Sequence, residues 1–222
     1  MWNLAFAQWR YHRLALIMCF GGALVFWGLL WRHLGIGAAM FKMSLWLVAL
    51  IPYLICLAWL WRTHVHERRD RLQALLPITR AHVARADALV LLLPCVLASL
   101  MALVVVLSSV SGIERHGMYS AGGVWVGWVG ECMLLSALLL FFSQRMGRDR
   151  ALSLIVLLGA LQLGIHPAMV VGANLVGEAP YVLPRLLNQI TMSYWGGAGD
   201  LAVSGLLLWS YLRRASRTEA AR

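Results

Sequence analysis

The chain has 222 residues, of which 61% are apolar and only 13% charged, and it carries a net charge of +10. Soluble domains have roughly 45–50% apolar and about 25% charged residues, so a soluble fold of this length could not hide so much apolar surface, and lipid is the expected solvent for much of it. The positive charge lies between apolar runs, which points to a membrane surface rather than to nucleic acid.

The first 13 residues place Trp2, Ala5, Phe6 and Trp9 at i, i+3, i+4 and i+7, with Asn3, Arg10 and Arg13 away from that stripe. This is the pattern of an amphipathic helix lying in a membrane interface. Crossing roughly 30 Å of hydrocarbon takes about 20 mostly apolar residues in a helix. Six segments qualify: 14–31, 41–61, 85–110, 121–142, 151–171 and 195–212. The first is longer than the apolar core of a cleaved signal peptide, about 7–15 residues. The last is thinned at its start by Gly196, Gly197, Gly199 and Asp200. The 11 tryptophans suit bilayer interfaces, where an apolar ring and a polar N–H are both satisfied. Cys19, Cys56, Cys95 and Cys132 stand far apart inside apolar runs and read as small buried apolar residues, with no metal or disulfide role.

Counting basic residues orients the runs. Arg10 and Arg13, the 62–85 loop, Arg145, Arg148 and Arg150, and the tail from Arg213 put fifteen arginines on one side. Arg32, Lys42, Arg115 and Arg185 put four basic residues on the other. This alternation, kept at every crossing, predicts an all-α, polytopic, single-domain membrane protein with six spans and both termini in the cytoplasm.

Two connecting segments have structure of their own. In the cytoplasmic loop 62–80, Leu72, Leu75 and Leu76 form an apolar stripe on a short charged helix. Pro77 ends that helix, and Thr79 is placed to cap the next one. A leucine stripe pointing away from lipid should dock on a partner; the bland alternative is a basic loop resting on anionic headgroups. On the outer side, His166-Pro167 predicts a kink, and 172–194 remains rich in apolar residues. That composition suits short re-entrant helices dipping into the outer leaflet before the last span.

Several chemistries are absent. A phosphate-binding loop needs Gly-Lys-Ser/Thr, but Lys42, the sole lysine, sits between Phe41 and Met43. Neither a His-Glu-x-x-His zinc motif nor a Gly-x-Ser-x-Gly nucleophile elbow occurs, so no metal, cofactor or catalytic residue is expected on this chain. Polar residues inside the spans carry the remaining functional signal. Glu131 lies about ten residues into its run, and Gln162 reaches a similar depth from the opposite side. An intramembrane carboxylate is by default a candidate for function, so Glu131 and Gln162 are read as a polar patch on a translocation path. The alternative is a neutral Glu131 fastening two helices. Asp87 and Arg85 read as interfacial charges. Gly123 and Gly127, continued by Gly130, allow close helix contact and offer a dimer face.

The order of parts resembles the membrane permease subunit of type-2 ABC transporters, across almost the whole chain. The local resemblance runs from Glu67-Arg68 through Leu72 and Leu75-Leu76 to Pro77-Ile78-Thr79-Arg80, with Asp70-Arg71 where that family usually has a glycine. It implies an elbow helix carrying Trp2, Phe6 and Trp9, and a coupling helix in the 62–80 loop. Glu67, Arg68, Arg69, Arg71, Leu72, Leu75, Leu76, Pro77 and Arg80 would dock a separate ABC ATPase. ATP and Mg would be bound by that ATPase, and a second permease subunit would complete the path. The location would be the bacterial cytoplasmic (inner) membrane and the direction export. Alternatives are a haem-exporter-type membrane subunit, a non-transporting scaffold that recruits a cytoplasmic partner, and an intramembrane enzyme.

Overall fold

A computed structural model describes residues 10, 13–14, 16–34, 46–66, 79–108, 120–161 and 193–220. Among them only Thr79, Ser120, Gly147 and Ser193 are not helical, and there is no strand. The described residues form, in chain order, the helices α1 (Gly22–Leu34), α2 (Ile51–His66), α3 (Arg80–Ser108), α4 (Ala121–Met146), α5 (148–161) and α6 (Tyr194–Ala220). Wider π-helical turns, Ile17–Gly21 and Trp46–Leu50, lead into α1 and α2. The second change of pitch falls beside Pro52, which has no N–H to donate.

The helix ends have local causes. The Thr79 hydroxyl accepts from the His82 amide at 3.3 Å, capping α3 as the sequence leads one to expect. Ser120 caps α4 through the Gly123 amide at 3.0 Å, and Ser193 caps α6 through the Gly196 amide at 3.1 Å. Gly147, at φ 86°, is the single residue between α4 and α5. A side chain is strained at that φ, so glycine suits this abrupt reversal. The three arginines 145, 148 and 150 therefore stand on two helix ends rather than in an open loop.

Side-chain contacts fix the helix directions. Tyr53 meets Cys132 and Ser136, and Trp61 meets Arg148 just past the end of α4, so α2 and α4 run parallel. Trp125 bonds the Ser99 carbonyl while Cys95 meets Ser136, so α3 runs against α4. Gly197 abuts Val126 and Gly127 while Gln144 bonds Tyr211, so α6 runs with α4. Trp61 meets Arg148 and Leu54 meets Gly159, so α5 runs against α2. Direction thus alternates from α2 to α6. One end gathers Trp61, Asp87, Gln144, Arg148 and Tyr211. Arg80 and Arg85 in the first turns of α3, Arg145 and Arg150, and Arg213, Arg214 and Arg217 belong to that same arginine-bearing end.

The core is apolar, with Tyr53, Leu57, Leu60, Val90, Val105, Trp128, Leu139, Leu140 and Ile155 almost completely enclosed. The closest approach joins α4 to α6. A Cβ on Gly197 would lie 2.5 Å from the Val126 carbonyl oxygen, and one on Gly130 would lie 2.7 Å from the Gly197 carbonyl. The glycines of α4, read as a face for a second subunit, therefore meet a helix of their own chain.

The apolar runs fall on helices wherever they are described, but the helices outlast them. Helix α2 continues through Arg62 to His66, α3 begins at Arg80 rather than 85, and α6 continues from 212 to Ala220. Two of the described helical stretches, Ala81–Ser108 and Ala121–Met146, are long and apolar enough to cross a membrane. Their exposed sides carry Val96, Leu100, Val104 and Leu107 on α3. Trp27, Trp61 and Trp128 are buried, so part of the tryptophan content builds the core rather than an interface.

Candidate functional site

Two buried polar clusters tie the helices together. In the first, the Tyr53 hydroxyl of α2 donates to the Cys132 carbonyl of α4 at 2.7 Å and lies 2.7 Å from the Ser136 hydroxyl. With its one proton directed to the carbonyl, the Tyr53 oxygen accepts from Ser136. The Cys95 thiol of α3 lies 3.1 Å from Ser136 and 3.6 Å from the Cys132 carbonyl. Cys95 follows Pro94, which removes one N–H from the middle of α3. The same stretch is braced by Ser99, whose hydroxyl donates to the Cys95 carbonyl at 2.6 Å. The Trp125 indole then donates to the Ser99 carbonyl at 3.0 Å. Cys95 and Cys132 are buried as the sequence suggests, yet Cys95 acts as a polar partner and not only as an apolar filler.

The second cluster lies at the arginine-bearing end. Asp87 of α3 is only 2% exposed, and its Oδ2 accepts from the Tyr211 hydroxyl of α6 at 3.2 Å. The Gln144 side chain of α4 donates to the Tyr211 carbonyl at 3.2 Å. Asp87 is therefore enclosed by the bundle at the arginine-bearing end, a burial that its position near Arg85 in the sequence does not announce. Arg85 is exposed. Nearby, Arg145 stacks over Phe141 at 4.5 Å and Arg213 over Trp209 at 4.9 Å. Such cation–aromatic pairs suit long basic side chains with an apolar stem and a wet head.

Glu131 is half-buried on α4. The residue before it, Gly130, faces α6 so closely that a Cβ there would lie 3.0 Å from the Asp200 Cβ. Glu131 thus shares its level with a second carboxylate, Asp200, which sequence reasoning treats only as a weakness of the last apolar run. Its expected partner Gln162 lies outside the described residues, as does the kink at Pro167. So do the residues expected to dock a partner, Glu67, Arg68, Arg69, Arg71, Leu72, Leu75, Leu76 and Pro77, those expected in the interface, Trp2, Phe6 and Trp9, and the expected re-entrant segment 172–194 apart from Ser193 and Tyr194, which cap and open α6. Arg80 is the first residue of α3. What the described geometry does fix is the frame of the 62–80 loop: α2 delivers the chain at His66 and α3 recovers it at Thr79, both at the arginine-bearing end.

Among the described residues no group of three or more His, Cys, Asp and Glu side chains could hold a metal ion. The Trp128 indole N–H is fully buried without a hydrogen-bond partner among the described residues, a placement that costs about 1–3 kcal/mol. No family model, curated protein or solved structure matches the chain.

Proposed function

We propose that this chain is the membrane permease subunit of an ATP-driven ABC exporter, crossing the bacterial cytoplasmic membrane six times with both termini in the cytoplasm. The observation that carries the reading is the alternation of α2 to α6, with the described arginines of these five helices gathered at the end where the 62–80 loop leaves and re-enters the bundle. Arginines sorted to one end of an alternating bundle are what the positive-inside rule produces. The loop then projects into the cytoplasm, where Leu72, Leu75 and Leu76 have no lipid to cover them.

In this reading the leucines enter a groove on a separate ATPase, and Glu67, Arg68, Arg69, Arg71, Pro77 and Arg80 set the register and meet its rim. ATP and Mg are held by that ATPase. Closure of two ATPases pulls on the loops and alternates access to a path between two permease subunits. Glu131, with Asp200 level with it on α6 and Gln162 expected at similar depth, is the polar group assigned to that path. The 1–13 segment lies in the interface, and 172–194 dips into the outer leaflet.

The test is co-purification of this chain with an ABC ATPase from its native membranes. Replacing Leu72 and Leu75 together by Asp should abolish the complex while leaving the bundle folded, with helix content by circular dichroism as the check on folding. A complex that survives the double replacement removes the docking assignment.

A second reading has its own support. The Tyr53–Ser136–Cys95 and Asp87–Tyr211 groups satisfy one another inside the bundle instead of lining a wet path. That favours a membrane scaffold that recruits a cytoplasmic partner without transport. Substrate-stimulated ATP hydrolysis in reconstituted vesicles separates the two, because a scaffold has no substrate to respond to.

A further inference from the structure

We infer that Asp87 and Tyr211 form a tie that makes the arginine-bearing ends of α3 and α6 move as one unit, so that a pull on the loop before α3 reaches α6 directly. The chain leaves the loop with no slack. Thr79 caps α3 by its hydroxyl, and its carbonyl accepts from the Val83 amide at 3.1 Å, so the helix is closed from its first turn. Two turns later Asp87 is enclosed by the bundle. Tyr211 is held on both sides, its hydroxyl by Asp87 of α3 and its carbonyl by Gln144 of α4.

A hydrogen bond between a buried carboxylate and a buried hydroxyl is costly to stretch, because water cannot enter to replace either partner. Small displacements of α3 are therefore followed by α6 instead of being absorbed between them. The bond is directional and cannot slide without breaking. The next turn of α6 carries Arg213 and Arg214, so the tied unit includes the basic end of the last helix. Transmission from an ATPase rests on the proposed docking of the 62–80 loop. The tie itself does not.

The test is hydrogen–deuterium exchange on the full chain in lipid nanodiscs, comparing wild type with Tyr211→Phe, Asp87→Leu and Asp87→Asn. Tyr211→Phe and Asp87→Leu should each speed exchange about tenfold in both 84–92 and 207–215, the loss of one buried charged hydrogen bond felt by the joint unit. Asp87→Asn keeps an acceptor for the hydroxyl and should protect both segments better than Asp87→Leu does. If each replacement loosens only its own helix, or if Asp87→Asn exchanges as fast as Asp87→Leu, there is no tie. Joint protection with no ATPase co-purifying sinks the docking and leaves the tie standing, whereas purely local exchange with the ATPase still bound sinks the tie alone.

Discussion

Replacing Gly197 by alanine places one methyl group where α6 already touches the backbone of α4. The new Cβ would lie 2.5 Å from the Val126 carbonyl oxygen and 2.6 Å from the Gly127 nitrogen. Ordinary contact begins near 3.4 Å, so the two helices must part by about 0.9 Å or α4 must bend. Neither neighbour is a side chain that can rotate away. Overpacking of this kind costs about 1–3 kcal/mol. The exchange of glycine for alanine in a helix returns about 0.5–1 kcal/mol of that. Gly199, two residues on, isolates the second effect, because a Cβ there meets nothing within 4 Å. The difference between Gly197→Ala and Gly199→Ala should therefore be about 1–3 kcal/mol, with Gly197→Ala the less stable. Unfolding in mixed micelles, followed by tryptophan fluorescence, measures it. Equal stability of the two variants would show that α4 and α6 are not in backbone contact.

Removal of the Tyr53 hydroxyl by Tyr53→Phe should cost about 0.6–1.7 kcal/mol in the same assay, the range of polar contacts between membrane helices. Ser136→Ala should cost a similar amount, and the double variant less than the two together, because both act on one network; strict additivity would mean that the hydroxyls work separately. Glu131→Gln should leave the complex with the ATPase intact but lower substrate-stimulated hydrolysis in vesicles, whereas unchanged stimulation would assign Glu131 to helix fastening.

Much of this architecture is legible in the sequence because long apolar helices write a one-dimensional signal. Apolar runs mark helices, and arginines mark one shared end of α2 to α6. The same signal misplaces helix ends, because hydropathy reports where the apolar surface stops and not where hydrogen bonding stops. Arg62 to His66 and Arg213 to Ala220 continue their helices while leaving the apolar zone. Thr79 is readable as a cap because a short hydroxyl precedes the third apolar run, and Ser120 and Ser193 sit in the same relation to α4 and α6.

The face toward which a residue points is harder to read. Asp87 and Tyr211 are 124 residues apart, and nothing in either neighbourhood names the other. Gly123, Gly127 and Gly130 announce a close helix contact correctly. Only the packing shows that the partner helix belongs to the same chain. Asp200 escapes notice because it sits among glycines that look like a broken span. Those glycines, Gly197 above all, are what let α6 approach α4 and bring Asp200 level with Glu131.

The central claim is that the 62–80 loop lies in the cytoplasm at the arginine-bearing end of a bundle that crosses the membrane six times. A Gln73→Cys variant, with the four native cysteines replaced by serine or alanine, places one thiol in the middle of that loop. A membrane-impermeant maleimide should then label inside-out vesicles and leave intact cells unlabelled. Labelling of that single thiol from outside intact cells, at the rate seen in detergent, would contradict the topology and with it the docking of an ATPase.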